Sequence, residues 1–199
     1  MSKPHTLRNL AGLPDDLPPL RDCTLVLVDC QNTYRHGLMA LEGVEAALAE
    51  ATTLLERARA AGCPVFHIQH DSGPGSPYDI RTEIGAIADP VSPVDGEVVI
   101  VKGLPNSFAG TDLAGHIAKT GRTQIVLAGF MTHMCINSTA RGAFNLGLQP
   151  TVVATATATR PLPAVDGRIL PAAAVQAASL AALGDLFARI APDAASLPD

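Results

Sequence analysis

Tryptophan is absent from this chain, and aromatic residues make up only 4% of its 199 positions. The core must therefore be aliphatic, drawn from a hydrophobic content of 47%. This length suffices for one substantial core and is too short for two comfortable domains. We expect a single domain over residues 23–199, preceded by an N-terminal extension over residues 1–22.

Other missing features exclude whole classes of protein. There is no basic block, and 14 Lys and Arg against 19 Asp and Glu give a net charge of −5, so nucleic acid is not an expected partner. No apolar run approaches the roughly 20 residues of a membrane span, and the N-terminus has no apolar segment of signal-peptide length. The four cysteines show no CxxC spacing and are expected to be reduced thiols. These absences predict a cytoplasmic protein without a membrane partner.

What is present is an alternation of short β-branched runs with Ala- and Leu-rich stretches of helical spacing. Strands are predicted at residues 24–30, 64–70, 97–102, 123–129, 151–154 and 188–190, and helices at 41–61, 112–120, 136–146 and 171–186. Strands that alternate with helices imply crossover connections and a parallel sheet covered on both faces. Residues 71–93 are rich in Gly, Pro and Ser and predict a long functional loop with a short helical piece near 82–87.

Three residues that can do chemistry stand at strand ends. Asp29 follows the apolar run at 25–28, Lys102 follows the run at 98–101, and Cys135 lies in the turn after the fourth strand. The carboxyl ends of parallel strands line one crevice, so these side chains could meet there. A thiol between a strand and a helix also lies near a helix N-terminus, where thiolate is favoured. An acid, a base and a nucleophile in one crevice suggest a hydrolase.

The motifs at these strand ends resemble those of the isochorismatase-like cysteine hydrolases. They are residues 29–32, Lys102 with 106–111, and 129–135 with Thr139, and the resemblance extends over residues 24–190. It implies a three-layer α/β/α, Rossmann-like fold with a six-stranded parallel sheet. It also implies a homo-oligomer, a dimer or larger.

The resemblance assigns roles to the three strand-end residues. It implies that Cys135 is the nucleophile, Asp29 the general acid and base, and Lys102 the cation that holds both. It further implies a cis peptide between Phe130 and Met131, with the backbone N–H groups of Met131 and Cys135 as an oxyanion hole.

Polar and aromatic residues near the strand ends are candidates for the substrate pocket. They are Gln31, Tyr34, His36, His70, Tyr78 and Phe108. Each could instead have a purely structural place, and Gln31 is better suited to hydrogen-bonding the local backbone. Many family members carry Asp where this chain has Thr155 at the predicted end of the fifth strand, so we expect an altered pocket polarity.

The histidines do not form a metal-binding pattern. His67 and His70 are three residues apart on a predicted strand and face opposite sides. Residues 70–75 also lack the Asp-x-His pattern of the related nicotinamidases. His133 lies two residues before Cys135, a spacing that makes a Cys–His pair a weak alternative. We predict no metal and no other cofactor.

The leading hypothesis is a cysteine hydrolase that cleaves a small amide-type C–N bond through a Cys135 thioester, with a small molecule as substrate. One alternative is an isochorismatase-type hydrolysis of a vinyl ether that releases pyruvate, which relies on the acid and the lysine more than on the thiol. Another is a non-catalytic binding or redox-sensing member of the fold.

Overall fold

A six-stranded sheet forms the centre of the computed structural model, which describes residues 5–199. Its strands are β1 (Cys23–Val28), β2 (Val65–His70), β3 (Val98–Lys102), β4 (Gln124–Phe130), β5 (Gln149–Ala158) and β8 (Arg189–Ala191). They lie in the order β3-β2-β1-β4-β5-β8, and every neighbouring pair is parallel. The predicted six-stranded parallel sheet is confirmed.

The helices cover both faces of this sheet. They are α1 (Leu7–Leu10), α2 (Val44–Ala60), α3 (Leu113–Lys119), α4 (Asn137–Asn145) and α5 (Ala172–Leu186). Within residues 5–199, no helix has the length and apolarity that crossing a membrane requires.

Two hydrophobic cores result from the alternation of side chains along the buried strands. In β1, Leu25 and Leu27 pack with α2 on one face, whereas Val26 and Val28 pack with α3, α4 and α5 on the other. Because successive strand residues point to opposite faces, a continuous apolar strand contributes side chains to both cores. The result is the predicted three-layer arrangement.

The strand order reverses between β1 and β4, which makes their carboxyl ends the switch point of the sheet. The two strands approach closely there because Gly129 has a φ of +117° and no side chain. A Cβ atom at this position would lie 2.0 Å from the carbonyl oxygen of Val28, so no other residue fits.

Several elements differ from the sequence-based prediction. β5 extends to Ala158, four residues past its predicted end, after a register shift against β4 between Leu127 and Gly129. The helix predicted at 136–146 is preceded by a π-type turn, Thr132–Ile136, and α4 itself begins at Asn137. A short hairpin of β6 (Leu162–Pro163) and β7 (Ile169–Leu170) was not predicted.

The predicted N-terminal extension packs on the domain. Arg8 donates to the carbonyl of Leu186, and the backbone N–H of Leu20 donates to the carbonyl of Pro198 at 2.8 Å. Leu20 is fully buried in the core between the sheet and α2. Residues 1–4 of the predicted extension lie outside the described residues.

Candidate active site

The side chains of Asp29, Lys102 and Cys135 meet at the switch point. The ammonium nitrogen of Lys102 lies 2.7 Å from Oδ2 of Asp29 and 3.4 Å from Sγ of Cys135. The Asp29 and Lys102 side chains have no exposed surface, so this ion pair is fully buried. The structure therefore brings together three residues that are far apart in the sequence.

Asp29 occupies an unusual backbone position. Its φ of +52° is in the left-handed region, which Asp tolerates better than most residues. Only Oδ2 is engaged, because Oδ1 is buried with no hydrogen-bond partner among residues 5–199. Burial raises the pKa of Asp29, and the charge and hydrogen bond of Lys102 oppose that rise. The free oxygen is a buried acceptor available to a reacting proton.

Cys135 lies within the π-type turn that precedes α4. The N–H of Ile136 donates to the carbonyl of Met131 at 3.2 Å, the i→i−5 bond that defines this turn. Burial and the nearby Asp29 raise the pKa of the Cys135 thiol to about 12, against the lowering effect of Lys102. Burial and Asp29 thus oppose the thiolate that Lys102 favours. The thiol is protonated at neutral pH.

The segment at residues 106–111 has a structural role. The backbone N–H of Ser107 donates to Oγ1 of Thr139 at 3.0 Å, and the two hydroxyl groups lie 2.9 Å apart. Asn106 packs so closely on α4 that a Cβ at Gly142 would lie 2.6 Å from its side chain. These contacts hold the segment after Lys102 against the helix that follows the cysteine.

A cavity of about 170 Å³ opens above the thiol. It is lined by Tyr34, His70, Tyr78, Pro105, Met131, Met134 and Cys135. Three of the candidate pocket residues, Tyr34, His70 and Tyr78, thus lie on its wall. The ring of Tyr78 is edge-on to both Tyr34, at 5.8 Å, and His70, at 5.0 Å. Burial raises the pKa of both tyrosines, so their hydroxyl groups are neutral at physiological pH.

The other three candidates are not among the residues that line this cavity. Gln31 is fully buried, and its amide nitrogen donates to the carbonyls of His70 and Gly85 at 3.0 and 2.7 Å. His36 is exposed and lines a separate cavity. Phe108 is half-buried and packs against the core on the sheet face that α3, α4 and α5 cover.

Pro105 and Met134 line the cavity but were missed by the sequence reasoning. Both are apolar loop or turn residues without a chemical signature. Their closeness to Lys102 and Cys135 in the sequence is the one signal that could have indicated them.

Thr155 also lies away from the thiol. It is exposed within β5, its hydroxyl group donates to the carbonyl of Pro192, and it lines a separate cleft of about 460 Å³. Thr155 is not among the residues that line the cavity above the thiol, and the expected change in pocket polarity stays a prediction.

The Phe130–Met131 peptide is cis, as the resemblance implies. Within the described residues, no three His, Cys, Asp or Glu side chains lie close enough together to hold a metal ion. His67 faces Glu97 at 2.8 Å, and His70 faces Lys102 at 3.1 Å, so the two histidines have different partners.

Known proteins are similar to this chain in sequence and in fold. The model of the isochorismatase domain matches residues 23–189. The secreted isochorismatase effector Isc1 of Verticillium dahliae is 33% identical over 186 residues, which cover 93% of this chain and 95% of that protein. Streptothricin hydrolase of Streptomyces noursei is 35% identical, with 87% of this chain and 69% of that protein covered. Ureidoacrylate amidohydrolase of Stutzerimonas stutzeri is 27% identical, with 68% and 69% covered.

The solved structures agree. The crystal structure of an isochorismatase from Pseudomonas putida KT2440 superposes with a TM-score of 0.94 at 34% sequence identity, and covers 98% of this chain and 100% of that chain. Since the family model spans most of the chain and the fold matches throughout, this chain belongs to the isochorismatase family of hydrolases.

Proposed function

We propose that this hydrolase cleaves the C–N bond of an uncharged amide or ureido group in a small substrate, through a thioester at Cys135. The observation that carries the proposal is the buried ammonium of Lys102, which contacts both the Asp29 carboxylate and the Cys135 sulfur below a small cavity. The similarity to a ureidoacrylate amidohydrolase supports an amide-type substrate.

The mechanism follows from the protonation states at rest. Because the thiol is protonated, its proton moves to the free Oδ1 of Asp29 as Sγ attacks the carbonyl carbon. The new S–C bond leaves an oxyanion, which the backbone N–H groups of Met131 and Cys135 stabilise. Each such donor is typically worth about 2.7–4 kcal/mol.

The second half regenerates the enzyme. Asp29 passes its proton to the departing nitrogen as the C–N bond breaks, which releases ammonia or an amine and leaves the thioester. Water then attacks the thioester carbonyl, and Asp29 accepts a proton from the water. Finally the carboxylic or carbamic acid leaves, and the sulfur is reprotonated. The ammonium of Lys102 contacts both Asp29 and Cys135 and compensates the negative charge on whichever of them carries it.

The size and charge of the cavity favour a small, neutral reacting group. The cavity has a volume of about 170 Å³. The described residues that line it include neither Lys nor Arg, and its tyrosine hydroxyl groups are neutral. A substrate with two carboxylates, such as isochorismate, would lose hydration there without gaining a partner for its charges. This lining makes the vinyl ether reaction the second candidate.

An ammonia-release screen over acetamide, nicotinamide and methylurea tests the proposal, with intact-mass detection of the acylated protein. We expect turnover of at least one amide, a mass increase located at Cys135, and loss of both in Cys135→Ala. Cys63→Ala, which alters a buried thiol away from the cavity, is the matched control and should keep the activity. Full turnover by Cys135→Ala would exclude a thioester. Pyruvate release from isochorismate by that variant would establish the second candidate.

A further inference from the structure

The ammonium group of Lys102 has three protons and three acceptors around it. Besides Asp29 Oδ2 and Cys135 Sγ, the third acceptor is Nδ1 of His70, at 3.1 Å. Since the Lys102 side chain has no exposed surface, water cannot substitute for a missing acceptor. His70 is therefore one of three groups that determine where this ammonium points.

The fold explains why a histidine lies here. His70 and Lys102 are register partners at the ends of neighbouring parallel strands β2 and β3, so their side chains leave the same face. The side chain of Gln31 fixes the backbone of His70 on both sides, because it accepts from the His70 N–H at 2.8 Å and donates to the His70 carbonyl at 3.0 Å. This double contact gives the buried Gln31 its structural role.

The contacts of the ring determine its tautomer. Nδ1 can accept a hydrogen bond from an ammonium only when the ring proton is on Nε2. Nε2 lies 3.0 Å from Oγ of Ser72, which can accept a hydrogen bond from this N–H group. Tyr78 packs edge-on against the ring at 5.0 Å and limits its rotation.

The charges around the ring keep it neutral. Burial and the positive charge of Lys102 lower the pKa of His70 to about 4, while Asp71 raises it. Asp71 is itself paired with Arg81, at 3.0 Å. Tyr78 is neutral, and Asp29 and Cys135 lie beyond the ammonium.

We propose that neutral His70 is a positioning residue, whose Nδ1 binds the third proton of Lys102 and thereby holds the ammonium within reach of both Asp29 and Cys135. This inference rests on the proposed function only for its effect on turnover. The contact itself is independent of the substrate.

The first experiment therefore needs no substrate. In protein labelled with ¹⁵N-histidine, the His70 signals are assigned by their loss in His70→Asn and are followed from pH 8 to pH 4. We expect one tautomer with the proton on Nε2, which titrates only near pH 4. In Lys102→Met, His70 should titrate closer to its ordinary value of 6.5. A wild-type His70 that titrates near 6.5, or that carries its neutral-state proton on Nδ1, would overturn the proposal.

The second experiment compares two substitutions on the amide that the wild type hydrolyses fastest among acetamide, nicotinamide and methylurea. His70→Leu removes the acceptor and should lower kcat by about 100-fold with little change in KM, because the ammonium loses its alignment. His70→Asn offers a side-chain oxygen near the place of Nδ1 and should retain most of the rate. His36→Asn, on an exposed histidine outside the cavity, is the matched control.

An equal loss of kcat in both His70 variants, or a change confined to KM, would show that His70 lines the pocket and does not position Lys102. If no amide is hydrolysed at all, the proposed function fails, and the titration still decides the role of His70.

Discussion

Two carboxylates with little or no exposure, Asp29 and Glu97, adjoin strands β1 and β3 of the same sheet, and their pKa values are shifted in opposite directions. Glu97 accepts from Arg59 at 2.8 and 2.9 Å and from the backbone of Val94 at 3.1 Å, and it faces His67 at 2.8 Å. Burial alone would raise the pKa of Glu97, but these partners lower it to about 2. Asp29 has one cation and one free oxygen, and its pKa is raised.

The comparison separates a structural charge from a reactive one. Both carboxylates are paired with a cation, so the presence of an ion pair does not distinguish them. What distinguishes Asp29 is an unsatisfied oxygen beside a protonated thiol and a cavity. A fully bonded carboxylate holds its negative charge, whereas an incompletely bonded one can exchange a proton.

The largest expected difference is in turnover. Asp29→Asn should reduce kcat/KM on the hydrolysed amide by about 10²–10⁴-fold, because it removes the general acid and base. Glu97→Gln should leave kcat/KM nearly unchanged at temperatures well below unfolding. Comparable losses in the two variants would show that the free oxygen of Asp29 has no special role.

The next effect is on stability. Lys102→Met should lower the free energy of unfolding by about 3–5 kcal/mol, because it leaves a buried carboxylate without a cation. The penalty should grow as pH rises above the ordinary pKa of the Asp29 carboxyl group. In the folded variant this carboxyl group keeps a proton that the unfolded chain releases. Urea unfolding at pH 5 and pH 8 measures it. The double variant Asp29→Asn/Lys102→Met should recover most of the loss, and an undiminished loss would mean that the lysine acts through packing alone.

Glu97 should show the reverse dependence on pH. Its folded pKa of about 2 is below its ordinary 4.5, so it stabilises the fold above pH 4.5, and this stability is lost as pH falls towards 2. We expect Glu97→Gln to cost about 1–3 kcal/mol at pH 7 and progressively less in acid. Urea unfolding at several pH values measures this, with the exposed Glu56→Gln as control. A pH-independent cost would indicate that only the shape of the side chain matters.

The smallest expected effect is in thiol reactivity. The pKa of each cysteine is raised by burial, but Cys135 alone among them lines the cavity, so it should be alkylated by iodoacetamide before Cys23, Cys30 and Cys63. The alkylation rate of Cys135 should still be rising at pH 10, because the pKa of its thiol is about 12. Peptide mass spectrometry after timed quenching measures each site. Equal, slow labelling of all four would favour a non-catalytic member of the fold.

The sequence predicted the parts of the molecule that depend on strand and helix periodicity. Apolar runs that end in Asp29 and Lys102 indicated parallel strands, and parallel strands bring their carboxyl ends together. The same logic could not find Pro105 and Met134, because apolar loop residues carry no periodic or chemical signal. It also could not separate His70 from His36, since His70 ends one strand, His36 comes shortly after another, and only the fold decides which one faces Lys102.

Burial was the second limit of the sequence. A strand–turn–helix pattern predicted a thiolate at Cys135, but the pKa of its thiol also depends on burial and on Asp29 and Lys102, which are distant in the chain. The end of β5 also lies beyond what the periodicity indicated, because the register of β5 against β4 shifts between Leu127 and Gly129.

The absence of a side chain at Gly129 has a consequence for how this scaffold can diversify. Even one added methyl group would collide with Val28, so the wall of the crevice between β1 and β4 cannot be reshaped by mutation. We therefore expect new specificities to arise on the loop-built side, at the half-buried Tyr78 and Pro105, whereas Tyr34 is part of the core and packs on Phe130 of β4.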